Sequence, residues 1–177
     1  MNPKAMYSMI FWGLILSIFG FAVGGIALSP AISYGMIAFA SWRLGAFSRP
    51  FRVVAVSSLV LMILALPTPC LPEAVTTSPA LGISSLLLQC ALGWSLLSCV
   101  ARDCAAHGQM DLATAARWRR VAYVMILLAV PAVQVFVPSP SAESVSPYLL
   151  ILPTVAISVA YAVLVGTVQS AKIRLFP

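Results

Sequence analysis

The sequence predicts an all-α fold, a polytopic membrane protein built as one compact bundle of six transmembrane helices with short loops and both termini cytoplasmic. Three observations predict it. Of the 177 residues, 62% are apolar, and the mean hydropathy is +1.04. Only 8% are charged, against roughly a quarter in an average soluble chain. The basic residues, ten against four acidic for a net charge of +6, fall between alternate apolar stretches. This composition excludes a disordered tail, a nucleic-acid-binding domain and an ordinary soluble enzyme.

A helix needs about 20 mostly apolar residues to cross the hydrocarbon core. Six stretches meet or approach that length: 7–28, 31–47, 51–66, 80–101, 120–137 and 148–168. The second and third are the shortest, at about 17 and 16 residues, and fall short of a full-length crossing. The six form one transmembrane domain over 1–177, with no room for a soluble domain. The first stretch follows Lys4 and ends at Ala27-Leu28-Ser29, as a signal peptide would. It reads instead as a retained anchor, because a signal core is about 7–15 residues long, and Pro30 hinders cutting at that point.

Orientation follows from the basic residues. Lys4 precedes the first span. Arg43, Arg49 and Arg52 lie at the second junction, Arg102, Arg117, Arg119 and Arg120 around the fourth, and Lys172 and Arg174 after the last span. With six crossings all ten fall on one side, the cytoplasm. The opposite loops carry only Glu73 and Glu143. Ser-Pro at 29–30, 78–79 and 146–147 stands just before each even-numbered span. Serine caps a helix start, and proline suits the first helical position. The connector 102–119 is the one sizeable cytoplasmic piece, with Asp111 placed to cap a short helix over 112–117.

The turn Leu28-Ser29-Pro30 leads into Tyr34-Gly35-Met36-Ile37. The connector holds Met110-Asp111-Leu112-Ala113 and Ala115-Ala116-Arg117-Trp118. In these features and in layout the chain resembles a group of small uncharacterised bacterial six-span integral membrane proteins. Ala31 stands where that group usually has an acidic residue. The resemblance implies the six-span layout and a bacterial inner-membrane (plasma membrane) location, and no activity.

Acid–base chemistry within a membrane uses buried Asp, Glu, His or Lys. None lies within the six spans, and the one histidine, His107, is in the connector. No catalytic residue and no cofactor is therefore expected. Cys99, Cys104 and His107 have metal-ligand chemistry but lack a fourth ligand of their kind, so no metal site is expected either. Cys70 lies in an outer loop without a cysteine partner on its side of the membrane.

Three sets of residues remain. Gly20, Gly24 and Gly25, with Gly35 in the next span, have the spacing that lets helices approach closely. They read as packing of the first hairpin or as a homodimer face. Pro131 and Pro153 bend their helices and free backbone carbonyls. With Gln89, Gln134 and Thr154 they could line a neutral polar cavity for a ligand. Arg43, Arg49, Arg52, Arg117, Arg119 and Arg120, with Trp12, Trp42 and Trp118, mark the inner headgroup zone and its anionic lipids. Trp94 lies deeper, where packing is expected. The functional expectation is a non-enzymatic accessory or scaffold component acting through helix contacts, in a homodimer or larger membrane complex. The alternative is a small transporter or lipid-handling protein using a cavity in spans four to six.

Overall fold

In a computed structural model of the chain the described residues form six helices: α1 (Pro3–Ile18), α2 (Ser29–Leu44), α3 (Pro50–Ala65), α4 (Pro79–Ala106), α5 (Met110–Phe136) and α6 (Pro147–Leu175). Between α1 and α2, β1 (Ala22–Val23) pairs antiparallel with β2 (Ile26–Ala27), in the register Ala22 to Ala27 and Val23 to Ile26. The structure describes the backbone at 2–18, 22–23, 26–27, 29–46, 50–65, 79–136 and 147–176, and side chains at 2–18, 30–46, 50–65, 81–129 and 155–176. The class is all-α, as the sequence predicts.

Local sequence sets the helix ends. Asn2 caps α1: its Oδ1 accepts from the Lys4 N–H at 3.0 Å, and Pro3 takes the first helical position, where its missing N–H costs nothing. Helices α3, α4 and α6 also begin on proline. After α4, the Gln109 N–H bonds to the Cys104 carbonyl (2.8 Å) and the Gly108 N–H to that of Ala105 (3.1 Å). This is a Schellman closure, and Gly108 has the positive φ of 75° that it requires. The Gln109 carbonyl then accepts from the Ala113 N–H (3.0 Å), which opens α5.

Two expectations about elements are corrected. No single helix covers 7–28: α1 stops at Ile18 and strand residues follow. The stretch is rich in glycine, and each glycine costs a helix about 1 kcal/mol relative to alanine. The connector 102–119 is almost wholly helical. The turn is only three residues, because α4 runs on to Ala106 and α5 starts at Met110. The segment 112–117 is part of a helix of 27 residues, and Asp111 sits in its first turn, where it favours the positive helix end.

Each helix packs on the next in sequence, and α6 returns to α1, so the six form a closed ring, with α4 also touching α6. Tyr7, Ile10, Leu14, Ile37, Phe51, Leu96, Leu97, Tyr123, Leu127 and Leu164 fill the core. Two glycines allow the closest approaches. A Cβ on Gly13 would lie 2.8 Å from Ile37 Cγ1 and 3.0 Å from the Ser33 carbonyl, so α1 and α2 meet there. A Cβ on Gly93 would lie 2.1 Å from a ring carbon of Tyr123, so α5 presses an aromatic ring onto the backbone of α4.

Among the described residues, two helical stretches are long and apolar enough to cross a membrane, Leu81–Ala106 and Val155–Leu175. Helices α1 and α3 are apolar but shorter. At 1.5 Å per residue α4, α5 and α6 are about 40 Å long, and α1, α2 and α3 about 24 Å.

The Gly93 notch gives a direct test. Tyr123 is 1% exposed and has nowhere to go. Gly93→Ala is expected to cost about 1–3 kcal/mol by overpacking, read as a lower thermal midpoint in detergent. Gly82→Ala, where an added Cβ meets nothing within 4 Å, is expected to hold or raise the midpoint through better helix propensity.

Candidate functional site

Of the five residues proposed to line a cavity, Gln89 has a described side chain. It is half-buried, and its Nε2 donates to Ser85 Oγ one turn back (3.4 Å). The side chains of Pro131, Gln134, Pro153 and Thr154 lie outside the described residues, and α5 and α6 continue through both prolines. The polar groups that do meet in mid-bundle are tyrosines. The hydroxyls of Tyr34 on α2 and Tyr161 on α6 are 3.4 Å apart. The Tyr123 ring meets that of Tyr161 edge-on, with centroids 6.4 Å apart. The Tyr123 hydroxyl donates to the Gln89 carbonyl at 3.4 Å. The hydroxyls of Ser33 and Ser41 on α2 are buried without a partner among the described residues.

A second polar node lies at the end of the bundle that carries the α4–α5 turn. The Tyr7 hydroxyl on α1 donates to Asp103 Oδ2 on α4 at 2.6 Å. Phe51 of α3 packs on the Tyr7 ring at 6.2 Å and Phe176, just past α6, at 5.6 Å. Asp103 lies beyond the apolar stretch 80–101. Burial holds its carboxyl above the usual carboxylate range, while the Tyr7 bond, His107 and Arg102 pull it part of the way back. Burial also raises the Cys104 thiol, and the nearby Asp103 adds to it.

Cys90, Cys99 and Cys104 are buried free thiols. His107 Nδ1 donates to the Asp103 carbonyl on its own helix (2.8 Å). No group of three or more His, Cys, Asp or Glu among the described residues could hold a metal ion. Cys70 lies outside the described residues.

The arginines divide into two kinds. Arg52 and Arg117 are exposed, and Arg43 lies 5.2 Å over the Phe39 ring. Arg119 and Arg120 are half-buried and held. Arg119 Nη1 donates to Thr167 Oγ1 on α6 (3.1 Å), and Arg120 Nη1 donates to Ser98 Oγ on α4 (3.0 Å). The Arg120 guanidinium stacks 3.9 Å over the Trp94 ring, and its Nε has no partner among the described residues. This corrects the expectation for Trp94, which is 42% exposed and serves as a platform for Arg120 rather than as core. Trp12, Trp42 and Trp118 are more exposed still. Arg49 lies outside the described residues.

Gly20, Gly24 and Gly25 also lie outside the described residues, and the helical face that their spacing presupposes is interrupted by β1 and β2. Gly35 faces α3, since a Cβ there would lie 3.2 Å from Met62 Sδ. Gly13 and Gly93 are the notches in fact, and sequence spacing did not single them out. Tyr7, Tyr34, Tyr123 and Tyr161 were given no role because the apolar count takes in tyrosine. Their signal was that a buried Tyr hydroxyl needs a partner.

No family model, curated protein or solved structure matches this chain.

The Tyr7–Asp103 bond predicts a pH dependence. A carboxyl raised in the folded state contributes stability that is fully present below the ordinary carboxylate range and lost as pH rises through the folded value. Tyr7→Phe removes the donor to the ionised form, at a cost of about 1–3 kcal/mol near neutral pH. The gap to wild type is expected to narrow on acidification, measured by thermal unfolding in detergent across pH. A gap independent of pH would assign the loss to packing.

Proposed function

We propose that the protein is a six-span integral membrane protein of a bacterial inner membrane that serves as a non-enzymatic scaffold or accessory component, acting through helix contacts. One observation carries the reading: apolar side chains point outward from every described helix, while the buried tyrosine hydroxyls turn inward and are hydrogen-bonded. Trp12, Phe39, Ile63, Leu87, Met125 and Val159 are exposed, each from a different helix. A surface of that kind on a soluble monomer is an association liability, whereas lipid or a partner helix covers it at no cost. Inside, the hydroxyls of Tyr34, Tyr161, Tyr123 and Tyr7 are engaged with one another, with a carbonyl or with Asp103. That pattern favours fixed packing over an open polar pathway, and so favours the scaffold over the transporter reading.

The six crossings, both termini in the cytoplasm and the headgroup role of the arginines belong to the same reading. Lys172 and Arg174 occupy the last turn of α6 and, with Arg102 beside the α4–α5 turn, suit one membrane face. Helices α1, α2 and α3, at about 24 Å, are shorter than the hydrocarbon core of about 30 Å, and the bilayer would thin locally around them.

Two measurements test the proposal. Reporters fused to either terminus of the membrane-inserted chain are expected to lie on the cytoplasmic side, and a terminus on the opposite face would overturn six crossings. Native mass analysis after gentle extraction is expected to give a stoichiometric larger membrane partner. A chain that comes out of the membrane with no protein partner but with a defined small molecule would make it a transporter or lipid-handling protein.

A further inference from the structure

The α4–α5 pair carries a feature beyond packing. Arg117 and Arg120 stand three residues apart on α5 and share a face. Arg120 is fixed by its bond to Ser98 and its stack on Trp94, which orient the guanidinium at the surface between the two helices. Arg117 is exposed and forms no ion pair among the described residues. Further along the same side of α5, Val121 and Leu128 are exposed, and on the facing side of α4 so is Leu87, two turns from Trp94. A cationic fork with one arm held in place therefore stands at the head of an apolar, unpartnered groove.

Each half of the groove states a requirement. A guanidinium pair suits phosphate, which a planar fork of N–H donors can grip at two oxygens. The apolar half suits hydrocarbon. We propose that the α4–α5 groove binds one anionic phospholipid, its phosphate between Arg117 and Arg120 and an acyl chain along Val121, Leu128 and Leu87. Trp94 has a double part, holding Arg120 by its ring face and marking the headgroup level. Arg119 points to the other side of α5, toward Thr167, and takes no part. The site rests on the six-span reading and narrows its general headgroup contact to one pocket and one lipid class.

The test uses the full chain. Membranes are first washed at alkaline pH, and a chain that washes off removes the six-span reading itself. If the chain stays, it is extracted and exchanged into mixed phosphatidylglycerol and phosphatidylcholine, and retained lipid is read by native mass spectrometry. Wild type is expected to keep one phosphatidylglycerol. Arg117→Gln and Arg120→Gln are each expected to weaken that retention about fivefold, the scale of one basic residue at an anionic surface. Arg174→Gln, a cation of the same end, is expected to leave it unchanged. Arg117→Gln disturbs no internal contact, so the test stands even if Arg120→Gln fails to fold. Equal retention in all variants would overturn the site, as would an equal loss in Arg174→Gln. Inorganic phosphate that stabilises wild type but not Arg117→Gln as well as the lipid does would make the ligand free phosphate and overturn the lipid proposal.

Discussion

Apolar side chains occupy every face of these helices, so burial of hydrocarbon gives little preference for which face turns inward. Isoleucine and leucine lie both in the core, at Ile10, Ile37 and Leu96, and on the surface, at Ile63, Ile83 and Leu87. In a soluble helix an apolar stripe sets the rotation. Here two other terms must set it, shape and a few hydrogen bonds. Gly13 and Gly93 supply the shape: each admits a neighbour where a Cβ would collide. The Gly93–Tyr123 contact is the tighter, and it fixes the facing sides of α4 and α5 together. Once α5 is rotated to seat Tyr123, Arg120 falls beside Trp94 and Ser98, and Arg119 falls toward Thr167. The placement of the two arginines follows from the notch.

Hydrogen bonds then fix what shape leaves open. The Tyr34–Tyr161 contact joins α2 to α6 in mid-bundle, and the Tyr7–Asp103 bond joins α1 to α4 at one end. Neither pair links neighbours in the ring. Each crosses it, and a cross-tie restricts the rotation of two helices together. In a low-dielectric interior an unmade bond of this kind leaves a costly bare group, so alternative rotations are penalised more than the net worth of the bond suggests.

How much of this was legible follows the kind of signal. The helices near 31–47 and 51–66 were, because a continuous apolar run between turn residues needs no periodicity to be seen. Ser-Pro at 29–30, 78–79 and 146–147 marked true helix starts. The end of α4 was not legible: Gly108 after a long helical run is a stop signal, but the charges of 102–119 made the segment look like a loop. Charge does not break a helix, and Gly108 does. The failure at 7–28 is the converse, an apolar run whose glycines at 20, 24 and 25 read as a packing face. The site was less legible. Prolines and amides are conspicuous in an apolar run, whereas the described bonds between helices are made largely by tyrosines, whose hydroxyls an apolar count hides. Gly93 was hidden for a different reason. It has no partner glycine at helical spacing, because what it admits is a side-chain ring and not a second backbone.

The same physics separates the two arginines at the head of α5. Consecutive residues on a helix diverge by about 100°, so Arg119 and Arg120 cannot serve one ligand. Arg119 is committed to α6 through Thr167, which is fully buried. Arg120 instead stays at the surface, because Trp94 beneath it is itself partly exposed. Arg117, one turn earlier and on Arg120's side, completes a pair that the fold leaves open outward. A pair of cations, one of them held in place, above an apolar groove is poorly matched by water, which cannot satisfy the groove, and by hydrocarbon, which cannot satisfy the cations. It is matched where headgroup meets acyl chain. The notch at Gly93, by turning α5 to seat one tyrosine, sets the depth and direction at which that match occurs.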